Sequence, residues 1–243
     1  MNYKAPYTYF INKPNAGSRN LLWGSLALIS TQLIPLVGQI VWFGYQAEVL
    51  DELERDPEIQ AHPDFDINRF SEYIGRGIWV FLMQLIVGLF TAMLALIGVV
   101  PALIAAIQLR EPLLILAGYA VMIPMILIGT MFTWPLILHV QLSRGFRFGA
   151  AMKFTSSFLK KLWGQLLVTL IVHMLISGVL MIVGLFLLCI GIFPALVVQL
   201  MAQEHYMVQL YRIYLAEGGE PIGSAAEDLE YEDESLHRPG PND

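Results

Sequence analysis

Five ionisable side chains stand inside or at the edge of long apolar stretches: Glu48, His139, His173, Glu204 and His205. A charge in hydrocarbon costs several kcal/mol unless it is paired or hydrated, so these groups are where chemistry is sought first. Glu204 and His173 are the natural couple. Each lies ten residues beyond the residue that opens its helix, Pro194 and Trp163 respectively. That is about 15 Å along two antiparallel arms, so the side chains can share one level. Such a couple admits three readings. It can bind a proton or an ion, with His205, Gln199 and Gln203 nearby; it can be an interhelical hydrogen-bond clamp, for which polar contacts of ~0.6 to 2 kcal/mol suffice; or, with His139, it can hold a metal. The clamp is preferred. The metal is least favoured, because His139, His173 and His205 fall on three different helices and show no close spacing such as H-x-x-x-H. A second candidate surface is the cation cluster Lys153, Lys160 and Lys161, each worth ~1 kcal/mol against an anionic headgroup. A purely topological basic loop explains that cluster equally well.

No enzyme signature accompanies these groups. The chain has no Walker-type loop, no G-x-S-x-G elbow and no H-E-x-x-H, and its small-residue stripe Gly88, Ala92, Ala95 reads as a helix contact. A non-enzymatic role without cofactor or metal is therefore expected. Nucleic acid is not an expected partner, since the cations follow the breaks between apolar runs instead of forming one basic face.

The elements that must position these residues are set by where charge is missing. Of 243 residues 56% are hydrophobic and 14% charged, and the mean hydropathy is +0.61. Four stretches lack Asp, Glu, Lys and Arg altogether: Asn20 to Ala47, Gly77 to Leu109, Pro112 to Ser143 and Leu162 to Gln203. An ordinary soluble globule is excluded, and an all-α polytopic membrane bundle is expected. About 20 residues make one span, so the last run must be two helices, broken at Gly191-Ile192-Phe193-Pro194, where proline opens a helix but cannot continue one. Arg110-Glu111-Pro112 is the corresponding turn between the middle runs. Prolines 101, 124 and 135 should kink those helices.

The first run is either one tilted span or a hairpin bent at Ile34-Pro35-Leu36. The hairpin puts every cation except Arg110 on one side, 13 of the 14, whereas a single span splits them more evenly. The positive-inside rule therefore favours six helices in three hairpins with both termini cytoplasmic in the cell membrane, although the first hairpin is short enough to be re-entrant. A degenerate repeat agrees. Arg69-Phe70-Ser71 precedes Arg76 and Trp79 at the offsets by which Lys153-Phe154-Thr155 precedes Lys160 and Trp163.

The connectors are expected to be amphipathic helices lying flat at the interface. Phe148, Ala151, Met152, Thr155, Phe158, Leu159 and Leu162 share one half of the wheel, and Ile67, Phe70, Ile74 and Ile78 recur helically after a polar start at Asp64-Phe65-Asp66. The expected organisation is a cytoplasmic segment over 1–17 with aromatics at the interface, a transmembrane domain over 18–216, and a disordered acidic tail over 217–243. No cleavable signal is visible, so the first apolar run should serve as the targeting signal. Cys189, the single cysteine, excludes an intrachain disulfide and reads as a small buried hydrophobe.

Leu33-Ile34-Pro35-Leu36-Val37-Gly38-Gln39 leads to Gly44-Tyr45, a charged helix end from Glu48 to Arg55, Pro63-Asp64-Phe65, and then Arg69-Phe70. This succession resembles an uncharacterised family of prokaryotic multi-pass membrane proteins, a domain of unknown function loosely similar to the membrane domain attached to some glycerophosphodiester phosphodiesterases. The resemblance covers roughly residues 18 to 216 and is sharpest from Leu33 to Arg76. It implies a helical membrane domain, no assigned activity and no catalytic residue. The combined expectation is a membrane scaffold or accessory subunit whose partners are the lipid bilayer and a membrane or cytoplasmic protein. The alternative is a small transporter or permeation module built on the Glu204 and His173 site.

Overall fold

The computed structural model describes residues 1–12, 14–31, 36–56, 58, 62–111, 113–187 and 191–222. Among these the chain is all-helical. The helices are α1 (Ala5–Asn12), α2 (Pro14–Ser30), α3 (Val37–Arg55), α4 (Phe70–Leu109), α5 (Leu113–Ser143), α6 (Phe148–Phe186) and α7 (Ile192–Ala216), with a 3-10 turn at Ile67–Arg69 ahead of α4. The six expected arms are α2 to α7, paired as α2/α3, α4/α5 and α6/α7. The turns fall where the breakers stand. Arg110 closes α4 in the left-handed region at φ 55°, and α7 opens after Gly191 with Pro194 inside its first turn, where a missing N–H costs nothing. Residues 32–35, Pro112 and Cys189 lie outside the described residues.

Three helical stretches are long and apolar enough to cross a membrane: Ile67–Leu109, Leu113–Ser143 and Phe148–Phe186. At about 1.5 Å per residue α4 is roughly twice as long as a ~30 Å hydrocarbon layer is thick. Its two halves accordingly live in different surroundings. The first half of α4, the second half of α5, the first half of α6 and most of α3 and α7 share one core, built on Trp42, Tyr45, Leu50, Tyr73, Met83, Leu138, Phe158, Leu162, Tyr206 and Tyr211. The opposite halves expose Leu89, Met93, Ile97, Leu103 and Ile107 on α4, Leu113, Leu116 and Ile123 on α5, and Leu175, Val179 and Phe186 on α6. An apolar surface of that extent needs an apolar cover.

The connectors differ from expectation in one respect. Both are helical, but each runs unbroken into its span, because neither Phe70–Leu109 before Pro101 nor Phe148–Phe186 contains a residue that ends a helix. The apolar face Ala151, Thr155, Phe158 and Leu162 is buried, and Phe158 packs on Tyr214 of α7 with ring centroids 5.3 Å apart. Protein covers that part of the face, while Phe148 and Met152 of the same face stay exposed. The earlier connector starts as expected, with the Asp66 carboxylate accepting the Asn68 N–H at 2.9 Å.

Helices α3 and α4 cross backbone to backbone. A Cβ on Gly44 would lie 1.9 Å from the Tyr73 carbonyl oxygen, and one on Gly77 would lie 1.8 Å from that of Ile40. Only glycine fits at either position, which brings the charged end of α3 beside the start of α4.

Both ends of the segment from residue 1 to residue 222 are tied to α7. The backbone N–H of Asn2 donates to Gln209 Oε1 at 2.6 Å, and Gln209 Nε2 returns a bond to the Asn2 carbonyl at 3.1 Å. Tyr3 and Tyr7 pack on the core and Tyr9 is buried, so these aromatics are protein contacts and not the interfacial belt expected of them. Burial also pushes the Tyr7 and Tyr9 phenols up, keeping both protonated. At the other end Gly218, at φ 72°, donates to the Leu215 carbonyl and Gly219 to that of Tyr214, a glycine-terminated helix end. Ile222 is then buried and its N–H donates to the Tyr211 hydroxyl at 2.7 Å. The first residues of the expected tail are thus docked; residues 223–243 lie outside the described residues.

Candidate functional site

Glu204 is 1% exposed at the centre of the shared core. Its Oε1 accepts from Gln46 Nε2 of α3 at 2.9 Å and from Gln141 Nε2 of α5 at 3.3 Å. Gln46 Nε2 also reaches the Leu200 carbonyl at 3.4 Å. A carboxyl on α7 therefore links that helix to α3 and α5. Its other oxygen, Oε2, and Gln141 Oε1 have no hydrogen-bond partner.

The expected couple with His173 does not form. His173 stands edge-on to the rings of Trp134, at 5.5 Å, and Tyr206, at 5.8 Å, and its Nδ1 has no partner. Equal depth along antiparallel arms is not enough, because azimuth decides contact, and the turn of α6 that carries His173 faces an aromatic wall. His205 projects away from Glu204 and meets His62 ring nitrogen to ring nitrogen, while His62 stacks on Tyr9 at 3.8 Å. His139 is buried against Phe154 of α6. The three histidines expected as metal candidates are thus in three separate settings. Among the described residues no group of three or more His, Cys, Asp or Glu side chains is placed to hold a metal ion.

Glu48 belongs to a second polar centre, where the ends of α3, α4 and α5 meet. Arg69 bonds Glu48 and also reaches Glu72 at 2.8 Å. Arg76 Nη2 donates to Asp51 Oδ2 at 2.6 Å and to the Ala47 carbonyl at 3.1 Å, and Arg144 Nη2 donates to the same Asp51 oxygen at 2.9 Å. These residues, with Glu52, Arg55 and Gly75, line a cavity of about 500 Å³.

Of the lysine cluster, Lys160 is exposed, Lys161 donates to the Glu217 carbonyl at 2.5 Å, and Lys153 lies 3.9 Å from Glu220 with both side chains solvated. An exposed pair of that kind contributes little. The cluster thus faces the docked start of the tail.

Several structural residues carried no legible signal in the sequence. Asn20 bonds the Tyr9 hydroxyl, the Pro63 carbonyl and the Phe65 N–H, and the Tyr45 hydroxyl also donates to Pro63, at 2.8 Å. Arg212 of α7 donates to the carbonyls of Leu53 and Glu54 at the end of α3, satisfying groups that a helix C-terminus leaves open. Gln46 and Gln141 were hidden because a glutamine in an apolar run looks the same whether it faces a carboxylate or another helix backbone.

These features define a class: an all-helical protein with three helices fit to cross a membrane, closed at one end by a protein-like core that encloses a carboxyl clamp and an ionic cavity. The chain belongs to the family described as protein of unknown function (DUF4013), whose model matches residues 27–189, more than half of its length. No curated protein and no solved structure matches it.

Proposed function

We propose that this chain is a multi-pass protein of the cell membrane that acts without catalysis, as a scaffold or accessory subunit contacting lipid and a protein partner. Both termini and the packed end of the bundle lie on the cytoplasmic side. Its exposed apolar surface, which begins at Trp79 on α4 and Trp163 on α6, sits in the bilayer, which supplies the cover it needs. The observation that carries this reading is the closure of Glu204, whose bonds come from two amides of neighbouring helices. That is the arrangement of a packing clamp, and an ion or proton path needs an acidic group that can exchange its partner.

The test is a proteoliposome carrying the full chain and an imposed pH gradient. The gradient should decay at the same rate with wild-type protein, with Glu204→Gln and with empty vesicles. A faster decay with wild type that Glu204→Gln abolishes would overturn the scaffold in favour of a transporter.

A further inference from the structure

The ionic cavity between α3, α4 and Arg144 is electrically balanced. It is lined by four carboxylates, Glu48, Asp51, Glu52 and Glu72, and four guanidiniums, Arg55, Arg69, Arg76 and Arg144. Pairing among them is incomplete. Asp51 Oδ2 is shared by two arginines, and the Arg144 side chain is 59% exposed. Glu48 Oε2, an acceptor, and Arg76 Nε, a donor, are both buried without a hydrogen-bond partner. Buried polar atoms are almost always satisfied, so an unpaired acceptor and an unpaired donor on two residues that line the cavity call for a molecule offering both functions.

Its place in the chain narrows the class of that molecule. Arg69, Glu72 and Arg76 immediately precede the uncharged run from Gly77, and Arg144 immediately follows the one ending at Ser143. On the membrane placement proposed above, on which this inference rests, the cavity therefore opens where hydrocarbon gives way to headgroups. A simple anion would meet four carboxylates, and a simple cation four guanidiniums. A zwitterion with a phosphate and an ammonium a few bonds apart meets neither objection. The phosphate suits Arg76 and Arg144, and the ammonium suits Glu48, whose free oxygen lacks a donor. A primary ammonium has N–H groups to give, whereas a quaternary one has none. We infer that this cavity binds the phosphoethanolamine group, carried by a membrane lipid.

Gly75 allows a clean test. It lines the cavity, and a Cβ built on it meets nothing within 4 Å, so Gly75→Trp introduces a bulky group beside the space from a position that tolerates a side chain. Arg144→Gln removes one phosphate ligand from an exposed position and serves as a second variant. The full chain in a non-ionic detergent is titrated with free phosphoethanolamine, phosphocholine or inorganic phosphate, or with phosphatidylethanolamine in mixed micelles, and the thermal unfolding midpoint reports binding. Both phosphoethanolamine forms should raise the midpoint, the lipid at the lower concentration, and phosphocholine and phosphate should not. Each variant should need about tenfold more ligand for the same rise. An equal rise with inorganic phosphate, or an undiminished one in both variants, would overturn the site. A rise with the free headgroup but none with the lipid would overturn the lipid source. If phosphoethanolamine binds a chain that fails to insert into membranes, the membrane reading falls while the cavity assignment stands.

Discussion

Glu204 shows how one side chain specifies a register. Two donors converge on Oε1, while Oε2 and the neighbouring Gln141 Oε1 remain without partners. Glutamine at 204 keeps an oxygen for the two amides and nearly the same shape. Glu204→Gln is therefore expected to leave the unfolding midpoint unchanged in detergent. Glu204→Leu strands the Gln46 and Gln141 amides in the core and should cost roughly 1 to 3 kcal/mol. A Gln variant destabilised as much as the Leu variant would show that the carboxyl's proton or charge, and not its shape, holds the three helices.

Among the elements, α7 organises the packed end. It receives the N-terminal residues through Gln209, bonds the last carbonyls of α3 through Arg212, and covers the apolar face of α6 with Tyr211 and Tyr214. The chain then turns at Gly218 and returns Ile222 to the core. Burying an isoleucine side chain contributes about 1.5 to 3 kcal/mol. A chain stopped after Glu217 should accordingly lose about 2 kcal/mol of stability in denaturant unfolding, and one stopped after Ile222 should lose nothing measurable, since the remaining acidic segment has almost no apolar surface to bury. Equal stability of the two truncations would mean that the Ile222 contact contributes nothing.

At the scale of the molecule the division is between a core-like end and an apolar, open end. Charged residues of α3, α4 and α5 collect at the first, and the second presents leucine, isoleucine, valine and phenylalanine outward. With 13 of 14 cations on one side of the expected topology, the proposal places that side in the cytoplasm. In a Cys189→Ala background, single cysteines at Asn15 and Ser224 should resist an impermeant thiol reagent in intact cells, and one at Glu111 should react. Reaction at Asn15 but not Ser224 would require an odd number of spans and remove the three-hairpin arrangement.

The charge-free runs and their breakers marked out α2 to α7, though not α1, because length, hydropathy and the backbone limits of proline are local quantities. The hairpin turns at Arg110 and before Pro194, and the polar start at Asp66, follow from the same local rules. The helical connectors were legible too, though not that they continue into the spans, because a period of 3.6 does not say what covers a face. Side-chain partnership was decided only by the tertiary structure. Glu204 and His173 share a depth, yet the angle at which α7 meets α3 and α5 turns the carboxyl to Gln46 and Gln141 and leaves His173 between Trp134 and Tyr206. The crossing of α3 and α4 likewise rests on Gly44 and Gly77 meeting the backbone carbonyls of Tyr73 and Ile40, contacts between residues far apart in the chain whose azimuth no local pattern contains.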